Sequence, residues 1–178
     1  CLLLWLDQKA DRRRRIRRYH DSIEDLLGWQ SAEALHRIVG NIRRLNREGV
    51  APETLKNAYL EGADLRDADL SDASLDGAVL AGTTLMHANL SGAYLGTADL
   101  SGADLREANL ARAHFGGFIG RPTSSAAQTT NLEGANLRGA NLRGARNASA
   151  ETFAEVATLY KAQLDAELEA EIEDTYPE

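Results

Sequence analysis

The chain has 178 residues, of which 43% are hydrophobic and only 6% aromatic, with a net charge of −7. This length suits one domain with small appendages, and the lone cysteine, Cys1, excludes an internal disulfide. The charge is segregated, because residues 1–57 carry a net +4, residues 58–117 a net −6, residues 118–146 a net +3 and residues 147–178 a net −8. Different parts of the chain are therefore expected to face different surroundings.

The chain opens with the apolar run Cys1-Leu-Leu-Leu-Trp-Leu6, and an arginine-rich stretch follows closely. Six apolar residues are too few to cross a bilayer, which needs about 20. Three interpretations stay open: the end of a membrane helix whose upstream part precedes Cys1, a short helix packed on its own protein, or an acylated Cys1. Arginines beside a membrane favour contact with anionic lipid. The arginines that would make this contact are Arg12, Arg13, Arg14, Arg15, Arg17 and Arg18.

Residues 1–49 are predicted to form an N-terminal helical segment that covers the open end of the region that follows. The run Asp21-Ser-Ile-Glu24 has the pattern of a capping box and predicts the start of a short helix. A second helix is predicted over residues 31–47, with Ser31 as its cap and Gly49 just beyond its end. Its apolar positions fall on one face, and they are Leu35, Ile38, Val39, Ile42 and Leu45.

A five-residue unit of the form Ala-(Asp/Asn)-Leu plus two variable residues recurs fifteen times in residues 50–147, with a predicted loop insertion at 118–129. The central, inward-pointing residues are Leu60, Leu65, Leu70, Leu75, Leu80, Leu85, Leu90, Leu95, Leu100, Leu105, Leu110, Phe115, Leu132, Leu137 and Leu142. A period of five is neither that of a strand nor that of a helix. It predicts a coil with one unit per straight side and four sides per turn, stacked at about 4.8 Å.

The residue types fit this coil. The Ala two positions before each centre also points inward, where only a small side chain fits. The Asp or Asn between them points outward and is expected to hydrogen-bond the turn backbone. Glycine at the last position of many units, as in Gly62 and Gly102, eases the tight corner.

These units resemble the pentapeptide repeat family, and the resemblance covers about half of the chain. It implies an all-β fold, the right-handed quadrilateral β-helix, with the flanking helices as N-terminal and C-terminal caps. The family contains topoisomerase-binding DNA mimics, and the acid-rich first turn is the feature of this coil that would suit that role. The interrupting arginines Arg66, Arg106 and Arg112 depart from such a negative surface.

Residues 148–178 are predicted to form an acidic C-terminal helix that begins at Ser149. Its apolar stripe is Phe153, Val156, Tyr160, Leu164 and Leu168. The helix is expected to cap the coil, and the protein is expected to be a monomer or a homodimer joined through this helix.

The sequence offers no candidate for catalysis, for a cofactor or for a metal. The histidines at 20, 36, 87 and 114 are scattered and lack metal-ligand spacing. The run from Gly116 to Arg121 is rich in glycine but lacks the Lys-Ser/Thr of a phosphate-binding loop.

The sequence therefore predicts a non-enzymatic scaffold that binds a protein partner, either cytoplasmic or on the cytoplasmic face of a membrane. Direct binding of nucleic acid is not expected, and the alternative function is a DNA mimic that binds DNA gyrase. The candidate partner surface consists of Asp64, Asp67, Asp69, Asp72, Asp76, Tyr94, His114, Phe118 and Arg121.

Overall fold

A computed structural model describes residues 2–116 and 130–176 of the protein. The predicted loop at 118–129, with the candidate residues Phe118 and Arg121, lies outside the described residues. The described part consists of two N-terminal helices, a coil held by parallel β-bridges, a short 3-10 helix and a C-terminal helix.

Each side of the coil contributes one residue to a ladder of parallel β-bridges, with partners twenty residues apart, as in Asp64–Thr84 and Asp69–Asn89. Each bridge is closed by two backbone hydrogen bonds: Leu65 N donates to Thr84 O at 2.9 Å, and Thr84 N donates to Ala63 O at 2.9 Å. Across the described ranges the bridging residues stand singly, so the ladder on each side is one residue wide. The chain therefore turns four times in every twenty residues.

We number the four sides by their bridging residues. The first side carries Thr54, Ser74, Tyr94, His114 and Arg146. The second side carries Tyr59, Val79, Asp99 and Asn131. The third side carries Asp64, Thr84, Asp104, Asn136 and Thr158. The fourth side carries Asp69, Asn89, Asn109, Asn141 and Gln163.

The register survives the interruption of the repeat. Asp99 pairs with Asn131 and His114 pairs with Arg146, so the partner lies 32 residues ahead instead of twenty. The excess equals the length of the segment 118–129, which accounts for the seventeen residues between Phe115 and Leu132. Later units therefore stack on the same sides as earlier ones.

The core is a lattice of leucine and alanine. Leu85, Leu90 and Ala88 are fully buried, as are most equivalent residues of the other units. Each buried leucine contributes roughly 2 kcal/mol through the apolar surface removed from water. Thr83 and Thr130 occupy alanine positions, and their hydroxyls donate to Leu80 O and Leu95 O, both at 2.7 Å. The polar exceptions are thus satisfied within the core.

The corners follow from the local sequence. The side-chain oxygen of the outward Asp or Asn accepts a hydrogen bond from the backbone two residues on, as from Ser71 N to Asp69 Oδ1 at 3.1 Å. The last corner residue adopts a left-handed conformation, with φ +66° at Gly62, which glycine adopts without strain. The non-glycine residues with positive φ are Asn57, Asp67, Asp72, His87, Glu107, Arg112, Asn147 and Lys161.

Helix α1 spans Leu2–Glu24 and helix α2 spans Ala32–Arg47. The predicted helix start at Asp21 is wrong, because residues 21–24 form the last turn of α1. Ile23 is buried in the core. Its packing keeps residues 21–24 in α1, although their sequence has the pattern of a capping box. The predicted bounds of α2 are confirmed: Ser31 Oγ accepts from Ala34 N at 3.1 Å, and Gly49 has φ +70°.

The prediction of one helix from Ser149 is wrong. Residues Ala150–Phe153 form a 3-10 helix, and α3 spans only Ala166–Thr175. Between them, Thr158 bridges Asn136 and Gln163 bridges Asn141, which adds two further sides to the coil. The physical reason is that Ala-Thr-Leu159 and Ala-Gln-Leu164 are themselves repeat units, so Leu164 lies in the coil and Tyr160 at one of its corners.

Candidate interaction surface

The first side presents an aromatic stack to solvent. The rings of Tyr94 and His114 lie 4.6 Å apart with an angle of 19° between their planes. Tyr94 is 46% exposed, whereas His114 is buried. The backbones of both residues are bonded to the neighbouring turns, as His114 N donates to Ala93 O at 2.9 Å. The exposed tyrosine is therefore held on a rigid support.

Charged groups surround this stack. Burial lowers the pKa of His114, and the nearby charges of Arg146 and Arg112 lower it further, against a smaller opposing effect of Asp76. Arg112 and Arg146 are exposed, and Asp76 is half-buried and accepts from Ser74 Oγ at 3.2 Å. Of the candidate residues, the structure thus places Asp76, Tyr94 and His114 on one side, with two arginines that the sequence interpretation did not include.

The acidic first turn is partly neutralised by the protein itself. Arg66 donates to both carboxylate oxygens of Asp64 at 2.9 Å, and Arg43 Nη2 of α2 lies 3.6 Å from Asp64 Oδ2. The hydrogen bond from the Arg66 side chain is the main reason why the pKa of Asp64 is lowered far below its usual range. Asp67 and Asp72 remain exposed at corners, on different sides of the coil.

The third side repeats this pairing two turns beyond. Arg106 donates to Asp104 at 2.8 and 2.6 Å, and this hydrogen bond lowers the pKa of Asp104. At the adjoining corner His87 Nδ1 lies 3.4 Å from Glu107 Oε2. Acids and bases therefore alternate along this side, and its field is largely cancelled at close range.

A ladder of side-chain amides runs along the fourth side. Asn89 donates to Asp69 at 3.0 Å, Asn109 donates to Asn89 at 3.2 Å, and Asn141 donates to Asn109 at 3.3 Å. Asp69 therefore lies at the end of this ladder and is half-buried beside α2. The predicted partner residues Asp64 and Asp69 both contact the N-terminal cap, which reduces their access to another molecule.

A residue that the sequence interpretation missed completes this side. Asn46 of α2 accepts from Asp69 N at 2.8 Å and donates to Asp69 O at 2.9 Å. Its side-chain amide thus makes the two hydrogen bonds that the backbone on either side of a bridging residue in a preceding turn would make. An asparagine one residue before the end of a helix that precedes the array was the available signal.

Within residues 2–116 and 130–176, no three His, Cys, Asp or Glu side chains come together as a metal site would require. Over the same residues, no helix is both long enough and apolar enough to cross a membrane.

Comparison with known proteins agrees with the geometry. The family model for pentapeptide repeats matches the chain in 8 copies, over residues 55–92, 88–117 and 128–146. The chain therefore belongs to the pentapeptide repeat proteins, whose coil is a β-helix solenoid. No curated protein matches the chain.

Solved structures of the same repeat class are similar to the chain. Rfr23 from the cyanobacterium Cyanothece 51142 is 33% identical, with 62% of this chain and 63% of that chain covered and a TM-score of 0.43. A pentapeptide repeat protein from Nostoc PCC 7120 is 26% identical, over 71% of this chain and 95% of that one, with a TM-score of 0.34. QnrB1, a plasmid-mediated fluoroquinolone resistance protein, is 20% identical over 69% of this chain and 87% of its own, with a TM-score of 0.31.

Proposed function

We propose that this protein is a non-enzymatic scaffold, in the cytoplasm or on the cytoplasmic face of a membrane, that docks a protein partner on the first side of a right-handed quadrilateral β-helix. The observation that carries the proposal is the exposed ring of Tyr94, stacked at 4.6 Å on the buried His114. Tyrosine and arginine are the residues that most often dominate protein interfaces. A ring already held in place loses little conformational entropy when a partner covers it.

The neighbouring charges define the partner surface more closely. Arg112 and Arg146 are exposed, and both lie close enough to His114 to lower its pKa. Asp76 is half-buried and already accepts a hydrogen bond from Ser74. The matching partner segment carries an apolar or aromatic side chain for Tyr94 and a carboxylate for the arginines.

An enzyme is not proposed, because the titratable side chains of the coil are dispersed. His87 lies at a corner of the third side and pairs with Glu107, whereas His114 lies on the first side against Tyr94. A nucleophile, a base and an orienting group within hydrogen-bond reach are what such chemistry requires.

Site-specific photo-crosslinking tests the proposal. A benzophenone amino acid is introduced at Tyr94 and, as the matched control, at Tyr59 of the second side, and both proteins are irradiated in their host cells. We expect a discrete protein adduct at position 94 that excess wild-type protein suppresses and excess Tyr94→Ala does not. Equal adducts at both positions, or equal competition by Tyr94→Ala, would contradict docking on the first side.

The second candidate function is a DNA mimic that binds gyrase, and the exposed Asp67 and Asp72 favour it. The pairing of Asp64 with Arg66 and Arg43 counts against a continuous negative strip. A supercoiling assay separates the two functions. Inhibition by wild type that is lost in the double variant Asp67→Asn and Asp72→Asn would support mimicry, and no inhibition by excess wild type would exclude it.

A further inference from the structure

The arginine-rich stretch of α1 divides into two sets with different tasks. Arg12 and Arg15 face the body of the protein, where their Nε atoms lie 3.3 and 3.1 Å from the Glu48 carboxylate. Arg12 also donates to Glu48 O. The remaining four are exposed and line one groove on the other face of α1, and we call them the outer arginine set: Arg13, Arg14, Arg17 and Arg18.

The outer arginine set keeps a positive excess after its own acids are counted. Arg14 Nη1 lies 3.5 Å from Asp11 Oδ1, with 74% and 61% of the two side chains exposed. Such an exposed pair is weak and easily exchanged for another anion. Asp21 borders the same groove. Two acids therefore lie beside four guanidinium groups within about three turns of helix.

The N-terminal end of α1 extends past the helix on which it packs. The two helices are antiparallel, since Asn41 Nδ2 donates to Ser22 Oγ at 2.9 Å while Arg12 and Arg15 reach Glu48. About ten residues of α1 therefore lie beyond the end of α2, a length of roughly 15 Å. Trp5 in this extension is 50% exposed, and Lys9 Nζ lies 3.8 Å from the centre of its ring.

We propose that the outer arginine set and the Trp5 end of α1 form a binding surface for anionic phospholipid headgroups. Basic side chains next to a negatively charged leaflet contribute about 1 kcal/mol each. Tryptophan prefers the interface between headgroups and acyl chains. The outer arginine set contains no interleaved aromatic ring on which a base would stack, so lipid fits this surface better than nucleic acid. The proposal is independent of docking on the first side of the coil.

Vesicle flotation with the full chain tests this surface. The probes are vesicles of phosphatidylcholine alone and vesicles that also contain phosphatidylserine. We expect wild type to float only with the anionic vesicles and to be released as salt rises from about 0.1 M to about 0.5 M. Replacement of all four outer arginines by Gln is expected to lower the partition coefficient about tenfold or more. Trp5→Ala is expected to lower it a few-fold.

The matched control is the pair Arg138→Gln and Arg143→Gln, which removes two exposed arginines of the coil and is expected to float like wild type. Circular dichroism checks that the fourfold variant keeps its helix content. If that variant unfolds, the release of wild type from anionic vesicles at high salt still tests whether binding is electrostatic. Failure to float with anionic vesicles, equal flotation with neutral vesicles, or an unchanged fourfold variant would overturn the proposal. Binding of a labelled oligonucleotide without vesicle binding would assign the surface to nucleic acid instead.

Discussion

The two ends of the coil are closed in different ways. At the N-terminal end, α2 lays Ile38, Ile42 and Leu45 against the first turn, and all three are fully buried. At the C-terminal end, Leu159 and Leu164 of the last, incomplete turn are only half-buried, although they occupy the same inward positions as the fully buried leucines. The same five-residue unit is therefore fully buried where a further turn or a helix covers it, and the last, incomplete turn lacks such a cover.

The polar contacts are also more complete at the N-terminal end than at the C-terminal end. Asn46 satisfies both the N–H and the carbonyl of Asp69, because a side-chain amide donates and accepts. At the other end, Asp165 accepts from Gly144 N at 2.6 Å and Glu171 accepts from Ala150 N at 3.0 Å. A carboxylate only accepts, so these two contacts satisfy backbone N–H groups and no carbonyl. The difference teaches that an amide caps a parallel ladder more completely than an acid does.

Removal of apolar contacts at each end gives the largest expected contrast. Ile42→Ala removes a fully buried side chain and is expected to cost about 3 kcal/mol in the free energy of unfolding. Leu164→Ala removes a half-buried one and is expected to cost about 1 kcal/mol. Urea denaturation of both variants measures the difference, and equal costs would show that the C-terminal end is as well closed as the N-terminal end.

Removal of the polar contacts gives the second contrast. Asn46→Ala leaves both backbone groups of Asp69 without their partners and is expected to cost about 2 kcal/mol. Glu171→Ala removes an exposed carboxylate that accepts one hydrogen bond, from Ala150 N. This change is expected to cost less than about 1 kcal/mol. Arg47→Ala, next to Asn46 but exposed, serves as the control and is expected to stay within about 0.5 kcal/mol of wild type in urea denaturation.

The corners at the two ends provide a third, smaller contrast. Gly62 in the first turn and Lys161 in the last share a left-handed conformation, with φ +66° and +61°. Gly62→Ala is expected to destabilise by about 1 kcal/mol, and Lys161→Gly to stabilise by about 0.5 kcal/mol, because only glycine adopts this conformation without strain. Thermal unfolding of the two variants checks that their stabilities change in opposite directions. A destabilised Lys161→Gly would show that backbone strain at Lys161 does not lower the stability of the C-terminal end.

The smallest expected effect concerns pH. The pKa of His114 is lowered by burial and by Arg146 and Arg112, so the unfolded chain binds a proton more readily than the folded one. The stability that neutral His114 contributes is complete above the unfolded pKa of about 6.5 and is lost as pH falls through the lower folded pKa. His114→Gln is therefore expected to flatten the decline in stability below about pH 6.5.

Asp64 and Asp104 serve as the internal comparison for this pH dependence. The pKa of each is lowered by an arginine, so their contribution is complete above about pH 4 and is lost only below it. Urea denaturation at several pH values separates the two windows. An identical decline in wild type and His114→Gln between pH values of about 7 and 5 would contradict the role given to His114.

The periodic part of the fold was predictable from sequence, because each leucine centre is specified by its own unit. The exceptions lie where one segment satisfies two patterns. The stripe that contains Leu164 suits a helix as well as two repeat units, and only the bridge from Gln163 to Asn141 decides between them. The position of Asn46 next to the end of α2 was the available signal for its role, but its contact with Asp69 depends on how α2 packs on the coil. Tyr94 and His114 are twenty residues apart, so a coil of four five-residue sides predicts that they share a side. The place of Arg146 on that side depends on the register after the interruption, which the sequence does not specify.

Hydrogen exchange of the native protein tests the unequal closure of the two ends most directly. Amides near α2, such as Leu60 N and Leu65 N, and amides near the last turn, such as Leu137 N and Leu142 N, are all bonded to the following turn at 2.8–3.0 Å. They differ in what covers them, so differences in protection report local opening of the two ends. We predict that Leu137 and Leu142 exchange faster than Leu60 and Leu65. Equal protection, or slower exchange at Leu137 and Leu142, would contradict this account.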